Sequence, residues 1–595
     1  MPELLFPATY YREHLATSSA TLQQSEQRLS WYSNARLISF GIGLLLSLLA
    51  AAWSGVASLI VAVVSLVVFG LLVARYRQAF TQAEASRALV LFYERGLARI
   101  EDRWSQVEPP AREVSEKHPY SADLDLFGKG SLFQLLHLGW TPMGNRTLAG
   151  WLLEPADRST VLSRQQAVQE LVPLSTQREE AAVRAVGLHA FEEAHLREWV
   201  TQPACEFPRW ERTVTDVLIV TNAAVLAAWI GGYLSGWFAL ASVAAMLLWS
   251  NRLAARTMNS LRGLNRQADR LLSLSVLLRQ VEEYPYTAPL LQQIQSEWKS
   301  GKRASAAIAE LAQLAERLDW PRNAFFLPVA LLMLWWNRLA FQVADWRAAS
   351  GVHVLRWLDA LGQWEALQCL ATLSFEHPDY IFPVILESGK CFEAEQLGHP
   401  LLPSQKCRCN DVSLGISHQL LLISGSNMSG KSTLLRTVGI NVVLALAGGP
   451  VKAKSLRLTE LYPGATLRVQ DSLQSGISRF YAEILRLRQL LDLAQEKPLL
   501  FLVDEVLSGT NSAERRQGAA GILQALLQRG AIGLATTHDL ALTEIAEQWK
   551  PQSVNMHFED TWKDEQISFD YQLRPGVVSQ GNALALMRAV GLDVK

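Results

Sequence analysis

The chain has 595 residues, with 55 Lys and Arg set against 56 Asp and Glu. Because a single hydrophobic core stops growing near about 300 residues, this length excludes a one-domain protein, and the balanced charge excludes binding to nucleic acid through overall charge alone. Hydrophobic side chains make up 49% of the residues and Trp accounts for 19 of them, an excess concentrated in a few segments that point to a membrane.

Residues 1–36 are polar and of mixed charge, without the short apolar run and cleavage site of a secretory signal peptide. Residues 37–74 then carry no charged side chain, and Trp53-Ser54-Gly55 interrupts them. About 20 apolar residues cross a bilayer as a helix, so this stretch predicts two spans joined by a tight turn. Residues 217–251 repeat the pattern around Gly231, Gly232 and Gly236, with halves at the short limit for a span, about 17 residues. Trp53, Trp229, Tyr233 and Trp237 fit interfacial positions near the turns. Arg12, Arg28, Arg36, Arg75, Arg77 and Arg87 flank the first stretch, Arg209, Arg212, Arg252 and Arg256 flank the second, and neither turn is positive. The positive-inside rule then predicts a multi-pass protein of the cytoplasmic (inner) membrane whose large domains lie in the cytoplasm.

Between and after these hairpins the pattern is helical. Leu261, Leu264, Ala268, Leu271 and Leu278, and again Ile308, Leu311, Ala315 and Leu318, recur at three- and four-residue spacings of long amphipathic helices. Residues 324–336 are apolar but too short to span and contain Pro328, which predicts a buried or interfacial helix. The five cysteines have no framework spacing, as suits a reducing compartment, and Cys407 and Cys409 have no second Cys/His pair at ligand spacing.

From about Phe392 the texture changes. Residues 420–424, 499–503 and 532–536 read as buried parallel strands of an α/β domain. Directly after the first of them, Gly425, Ser426, Asn427, Met428, Ser429, Gly430, Lys431 and Ser432 fit the phosphate-binding loop G-x-x-x-x-G-K-[ST], with Thr433 next in line. In such a loop backbone N–H groups and a helix N-terminus wrap the phosphates of ATP, the Lys reaches the β- and γ-phosphates, and the Ser ligates Mg²⁺. The second strand ends in Asp504-Glu505, a pair suited to holding Mg²⁺ (Asp504) and activating the attacking water (Glu505). His538 follows the third strand, at the same sheet edge as Glu505. Residues 467–491 place a polar loop with Gly476 and Ser478 ahead of a helix bearing Ile484, Leu487, Leu490 and Leu491, suited to offering Ser478 and a helix N-terminus to a nucleotide held by a partner subunit.

Taken in order, residues 425–436, 473–483, 504–515 and 535–539 resemble the DNA mismatch repair ATPases of the MutS family. Asn427-Met428 before the second loop glycine, and Gly509-Thr510 after the acidic pair, set them apart from ABC-transporter ATPases. Residues 398–402 and 410–411 fall where that family's ATPase domain begins, 130–155 and 164–171 resemble its helical core and levers, and 573–595 are similar to its closing dimer-contact segment. No counterpart of its mismatch-reading domain is seen, and the second apolar hairpin falls near the place of its DNA clamp.

The expected fold is therefore multidomain: α-helical membrane hairpins and MutS-like helical core and levers, then an α/β P-loop (ABC-type) ATPase. Its parts would be an N-terminal region 1–120 with hairpin 37–74, a core 121–390 interrupted by hairpin 217–251, and the ATPase domain 391–595. The resemblance implies a homodimeric, nucleotide-gated clamp that hydrolyses ATP with Mg²⁺, each site completed by Gly476 and Ser478 of the partner. It links the chain to mismatched or branched DNA; an ATP-driven switch on a protein or membrane ligand is the alternative, and a transporter is disfavoured by hairpins without charged residues.

Overall fold

The computed structural model describes residues 6–108, 118–264, 267–415, 417–426, 429–468, 479–507, 512–563 and 566–578. Pro7–Ala51 and Gly55–Ile100 are antiparallel helices of 45 and 46 residues, reversing at the Trp53-Ser54 turn. Small residues bring them close: a Cβ on Gly43 would lie 2.6 Å from the Ser65 Cβ, and the Ser58 hydroxyl donates to the Ser47 carbonyl across the pair at 2.9 Å. The far half exposes Leu44, Leu48, Val63 and Leu66, whereas Tyr11, Phe92, Tyr93 and Leu97 at the foot are buried in the protein core. Arg209–Ile230 and Gly236–Leu261 form the second hairpin, stitched by Ser242 to Asn222 at 2.8 Å and Trp249 to Thr215 at 2.9 Å. All four helices are long and apolar enough to cross a membrane.

The pattern expected to run through Leu261 and Leu278 is broken. Leu264 ends a short 3-10 turn, and a separate helix begins at Ala268. The 324–336 segment also differs from one helix: Leu327–Leu332 is a single short helix, Leu334 takes a left-handed backbone, and Trp335 opens another helix. Its Phe325, Leu327, Val329 and Leu331 side chains are exposed, which removes the buried alternative.

Trp335–Glu376, a helix of 42 residues and thus roughly 63 Å long, is the spine of the helical region. It touches Gly236–Leu261 near its start, then Ala304–Asp319, Pro289–Lys299, Arg158–Leu171 and Pro142–Leu153. Three wholly buried Trp residues fill this core with their N–H groups satisfied: Trp298 donates to the Trp357 carbonyl at 3.1 Å, Trp357 to the Glu297 carbonyl at 3.1 Å, and Trp364 to the Tyr286 hydroxyl at 2.9 Å.

The C-terminal region carries two sheets. The larger has the order 566–575, 553–563, 420–424, 532–537, 499–503, 462–466, all parallel except the antiparallel edge strand 566–575. Its central strands 420–424, 499–503 and 532–537 are largely apolar and fully buried because both faces are covered. Leu421, Ile423, Leu500 and Leu502 belong to the core shared with the helical region, whereas Leu420, Leu422, Phe501 and Val503 pack beneath the outer helices. The smaller sheet, of order 384–385, 455–458, 392–397, 410–414, lies alongside.

Residues 118–126 join the ATPase-like region to the rest. The Ala465 N–H donates to the Pro119 carbonyl at 2.9 Å, and Asp123 Oδ1 accepts the N–H groups of Leu467 and Arg468, each at 2.8 Å. Arg486 adds an ion pair to Asp123 Oδ2 at 3.0 Å.

Candidate functional site

In an open parallel sheet, ligand sites form beyond the carboxyl ends of the strands, and the expected residues gather there. The strand Leu420–Ser424 runs into Gly425, and the helix Lys431–Ala447 starts directly after Gly430. Gly430 has φ 103°, and a Cβ there would sit 3.0 Å from the Tyr571 ring, so glycine is required on both counts. Lys431 is buried, and its Nζ donates to the carbonyls of Gly425 at 2.8 Å and Ser426 at 2.7 Å. The hydroxyls of Ser426 and Ser429 are buried without a hydrogen-bond partner among the described residues. Ser432 and Thr433 face the adjoining cleft. Asn427, Met428, Gly476 and Ser478 lie outside the described residues, as do residues 579–595 of the closing segment.

Asp504 and Glu505 follow the strand Leu499–Val503. Register places Val503 opposite Ala535, which brings Thr536 beside the acidic pair: its hydroxyl donates to Asp504 Oδ1 and accepts the Glu505 N–H at 2.9 Å. Glu505 at φ 48° and Leu507 at φ 57° hold left-handed backbone, uncommon for such residues and marking a sharply turned segment. The Leu507 N–H is fixed by the buried Glu483 carboxylate at 2.5 Å.

His538 Nδ1 stands 3.8 Å from Glu505 Oε1, and its Nε2 lies 3.2 Å from Arg515 Nη1. Arginine can only donate, so a neutral His538 ring that accepts at Nε2 carries its proton on Nδ1, on the side of the Glu505 carboxylate.

Gly430, Lys431, Ser432, Thr433, Asp504 and Glu505 border a cleft of about 750 Å³, whereas His538 stands behind Glu505 and outside its lining. The other wall of the cleft comprises His399, Arg408, Asn410, Phe558, Phe569 and Tyr571. Burial, then the charges of Arg436 and Lys452, push the His399 imidazole down to about 4, so it is neutral at pH 7. Sequence reasoning did not single out Thr536, Arg515 or His399, although all three lie inside the stretches that carry the resemblance. Tyr571 had no local signal; it arrives on the terminal strand pair, its carbonyl accepting Asn410 Nδ2 at 3.0 Å.

The comparison with known proteins meets this geometry at the same residues: 421–594 match the family MutS domain V. This stretch of the chain is of the MutS domain V family. It is 33% identical over 264 residues to an endonuclease MutS2 of Thermus thermophilus, covering 43% of this chain and 33% of that relative. It is 31% identical over 238 residues to a DNA mismatch repair protein MutS 2 of Halobacterium salinarum, covering 39% of this chain and 27% of the relative. The chain thus spans about a third or less of the length of these curated relatives.

Proposed function

We propose that the chain is a membrane-anchored MutS-type ATPase, working as a nucleotide-gated dimeric clamp on mismatched or branched DNA. The observation that supports this most is the convergence of Lys431, Ser432, Asp504 and Glu505 on one cleft at the carboxyl edge of the parallel sheet.

The residues fit ATP and Mg²⁺. Two buried hydroxyls without partners among the described residues, on Ser426 and Ser429, precede a helix N-terminus, the arrangement that receives phosphate oxygens. Residues 425–433, Lys431 above all, would hold the phosphates, and Ser432 with Asp504 would hold Mg²⁺. Bound there, Mg²⁺ would supply positive charge against the charge that develops on the transferred phosphoryl group. Thr536 fixes the Asp504 carboxylate through the hydrogen bond to Oδ1 and so would orient it toward the cation. Glu505 would take the proton of the attacking water, and His538, with its proton on Nδ1, would steady that carboxylate.

Anchoring is supported by the exposed apolar hairpins. The domain reading of 1–120, 121–390 and 391–595 is kept as part of the proposal, with Gly476 and Ser478 completing the partner's site. DNA as ligand rests on the names of the relatives, an endonuclease and a DNA mismatch repair protein. The basic stretches 261–270 and 299–303 are partly neutralised: Lys302 pairs with Glu310, and Arg270 lies 3.9 Å from Glu192. ATP hydrolysis by detergent-purified protein, with and without duplex, mismatched and branched DNA at two salt concentrations, tests the ligand. Stimulation by one DNA form that high salt abolishes supports the reading; basal hydrolysis unmoved by every DNA overturns DNA as ligand and favours a protein or lipid ligand.

A further inference from the structure

The segment 320–336 presents an apolar surface that its own fold does not cover. Phe325 is 93% exposed, and Leu327, Val329, Leu331, Leu332 and Met333 are exposed beside it, whereas Pro321 and Ala330 face inward and are buried. The segment is a built element. Trp320 stacks on Trp335 at 5.4 Å, Phe326 meets Trp335 edge-on at 5.1 Å, and the Trp335 indole N–H donates to the Arg317 carbonyl at 2.9 Å. Asn323 Oδ1 accepts the Phe325 N–H at 3.0 Å, shaping the turn that carries the exposed ring.

Its level along the second hairpin is set by polar contacts. Asn337 Oδ1 accepts the Ser250 hydroxyl at 3.0 Å, and Arg338 lies 3.6 Å from Asp216. Asp216 and Ser250 sit at the polar end of the uncharged stretch 217–251. The short helix Leu327–Leu332, just before this level, packs against Arg209–Ile230, a hairpin helix whose own Val217, Val220 and Ile230 are exposed. The apolar surface therefore continues from hairpin to segment. Arg322 and Arg338 bracket a charge-free run, and Arg252 lies over the Trp210 and Trp249 rings at 5.7 and 5.6 Å. Aromatic rings and cations bordering an apolar surface are the signature of a bilayer interface, and contiguous apolar exposure of this kind on a folded element marks a contact surface.

We infer that residues 320–336 form an interfacial wedge, seated in the headgroup and upper acyl region of the same leaflet that the second hairpin enters. The inference rests on the proposed membrane insertion of that hairpin. It gives the spine helix Trp335–Glu376 a lipid-seated end, because the helix begins where the wedge stops.

An environment-sensitive fluorophore tests it, attached to Phe325→Cys or Met333→Cys in a background lacking the native cysteines. Companion labels sit at Leu240→Cys on the hairpin and Val352→Cys on the exposed side of the spine. The full chain is reconstituted in phosphatidylcholine and phosphatidylglycerol vesicles, with and without brominated acyl chains, and only variants that keep ATP hydrolysis are compared. The expected result is a blue shift and loss of emission to brominated lipid at 325, 333 and 240, and neither at 352. Quenching at 240 without quenching at 325 and 333 overturns the wedge and leaves the hairpin in the membrane, a second protein surface then being the cover. No quenching at any position overturns both.

Discussion

Arg99 grips Glu376 through two hydrogen bonds, Nε to Oε2 and Nη2 to Oε1, each 2.6 Å long. Tyr11 adds its hydroxyl to the same carboxylate at 3.1 Å. Tyr11 and Arg99 come from the two helices of the first hairpin, and Glu376 is the last residue of the spine helix. One buried cluster thus ties the foot of the first hairpin to the end of the helix whose other end meets the second. Burial by itself lowers the Arg99 pKa, and the Glu376 charge more than reverses it, so the net shift is upward. Glu376→Gln leaves a buried guanidinium without its counter-charge, which costs about 3–5 kcal/mol. Arg99→Met with Glu376→Leu, which removes both charges, is expected to cost less than either charge-removing single change, as read by denaturant unfolding.

Thr536 is expected to matter through the acids it holds. Thr536→Val keeps the shape of the strand while removing the hydrogen bonds to Asp504 and to the Glu505 N–H. The loss of about 1.5 kcal/mol corresponds to roughly tenfold in the rate of ATP hydrolysis. Equal turnover in Thr536→Val and the parent would show that this hydroxyl does not position the acidic pair.

Glu365 supplies a pH dependence. Its carboxylate, wholly buried in the spine helix, accepts the N–H groups of Trp140 and Thr141 at 3.1 Å each, together with the Thr141 hydroxyl. Burial dominates these donors and pushes its pKa up from 4.5 to about 7. The folded chain then keeps a proton where the unfolded chain has lost it, so this contribution makes stability fall as pH rises from 4.5 to about 7, then level off. Glu365→Gln retains an acceptor and should flatten that slope in a pH series of unfolding curves; an unchanged slope would remove Glu365 as its source.

The helix Pro142–Leu153 crosses the spine at two glycines. A Cβ on Gly144 would lie 2.0 Å from the Glu365 carboxyl carbon, and one on Gly362 would lie 2.8 Å from the Met143 carbonyl oxygen. Gly362→Ala is expected to destabilise by about 1–3 kcal/mol through overpacking, whereas Gly150→Ala, which meets open space, should be neutral or slightly stabilising. Equal unfolding midpoints for the two would contradict this close crossing.

What was legible in the sequence was what is local. The strands Leu420–Ser424 and Leu499–Val503 are buried at every position and apolar at all but Ser424, and the hairpins announce themselves by long runs without charge. The phosphate-type loop and the acidic pair are contiguous, so spacing alone reveals them. The partnership of Thr536 with Asp504 depends on strand register, and Tyr571 reaches the loop by way of Asn410, so neither leaves a local trace. The false helix through Leu261 and Leu278 arose because apolar spacing continues across the break at Arg262–Leu264.

The most direct test of the central claim is Mg²⁺-dependent ATP hydrolysis by the detergent-solubilised full chain, measured beside Lys431→Ala and Glu505→Gln. The account predicts hydrolysis in the parent, loss of nucleotide binding in Lys431→Ala, and binding without turnover in Glu505→Gln. Hydrolysis that survives both substitutions, or a parent chain that binds no nucleotide, would contradict it.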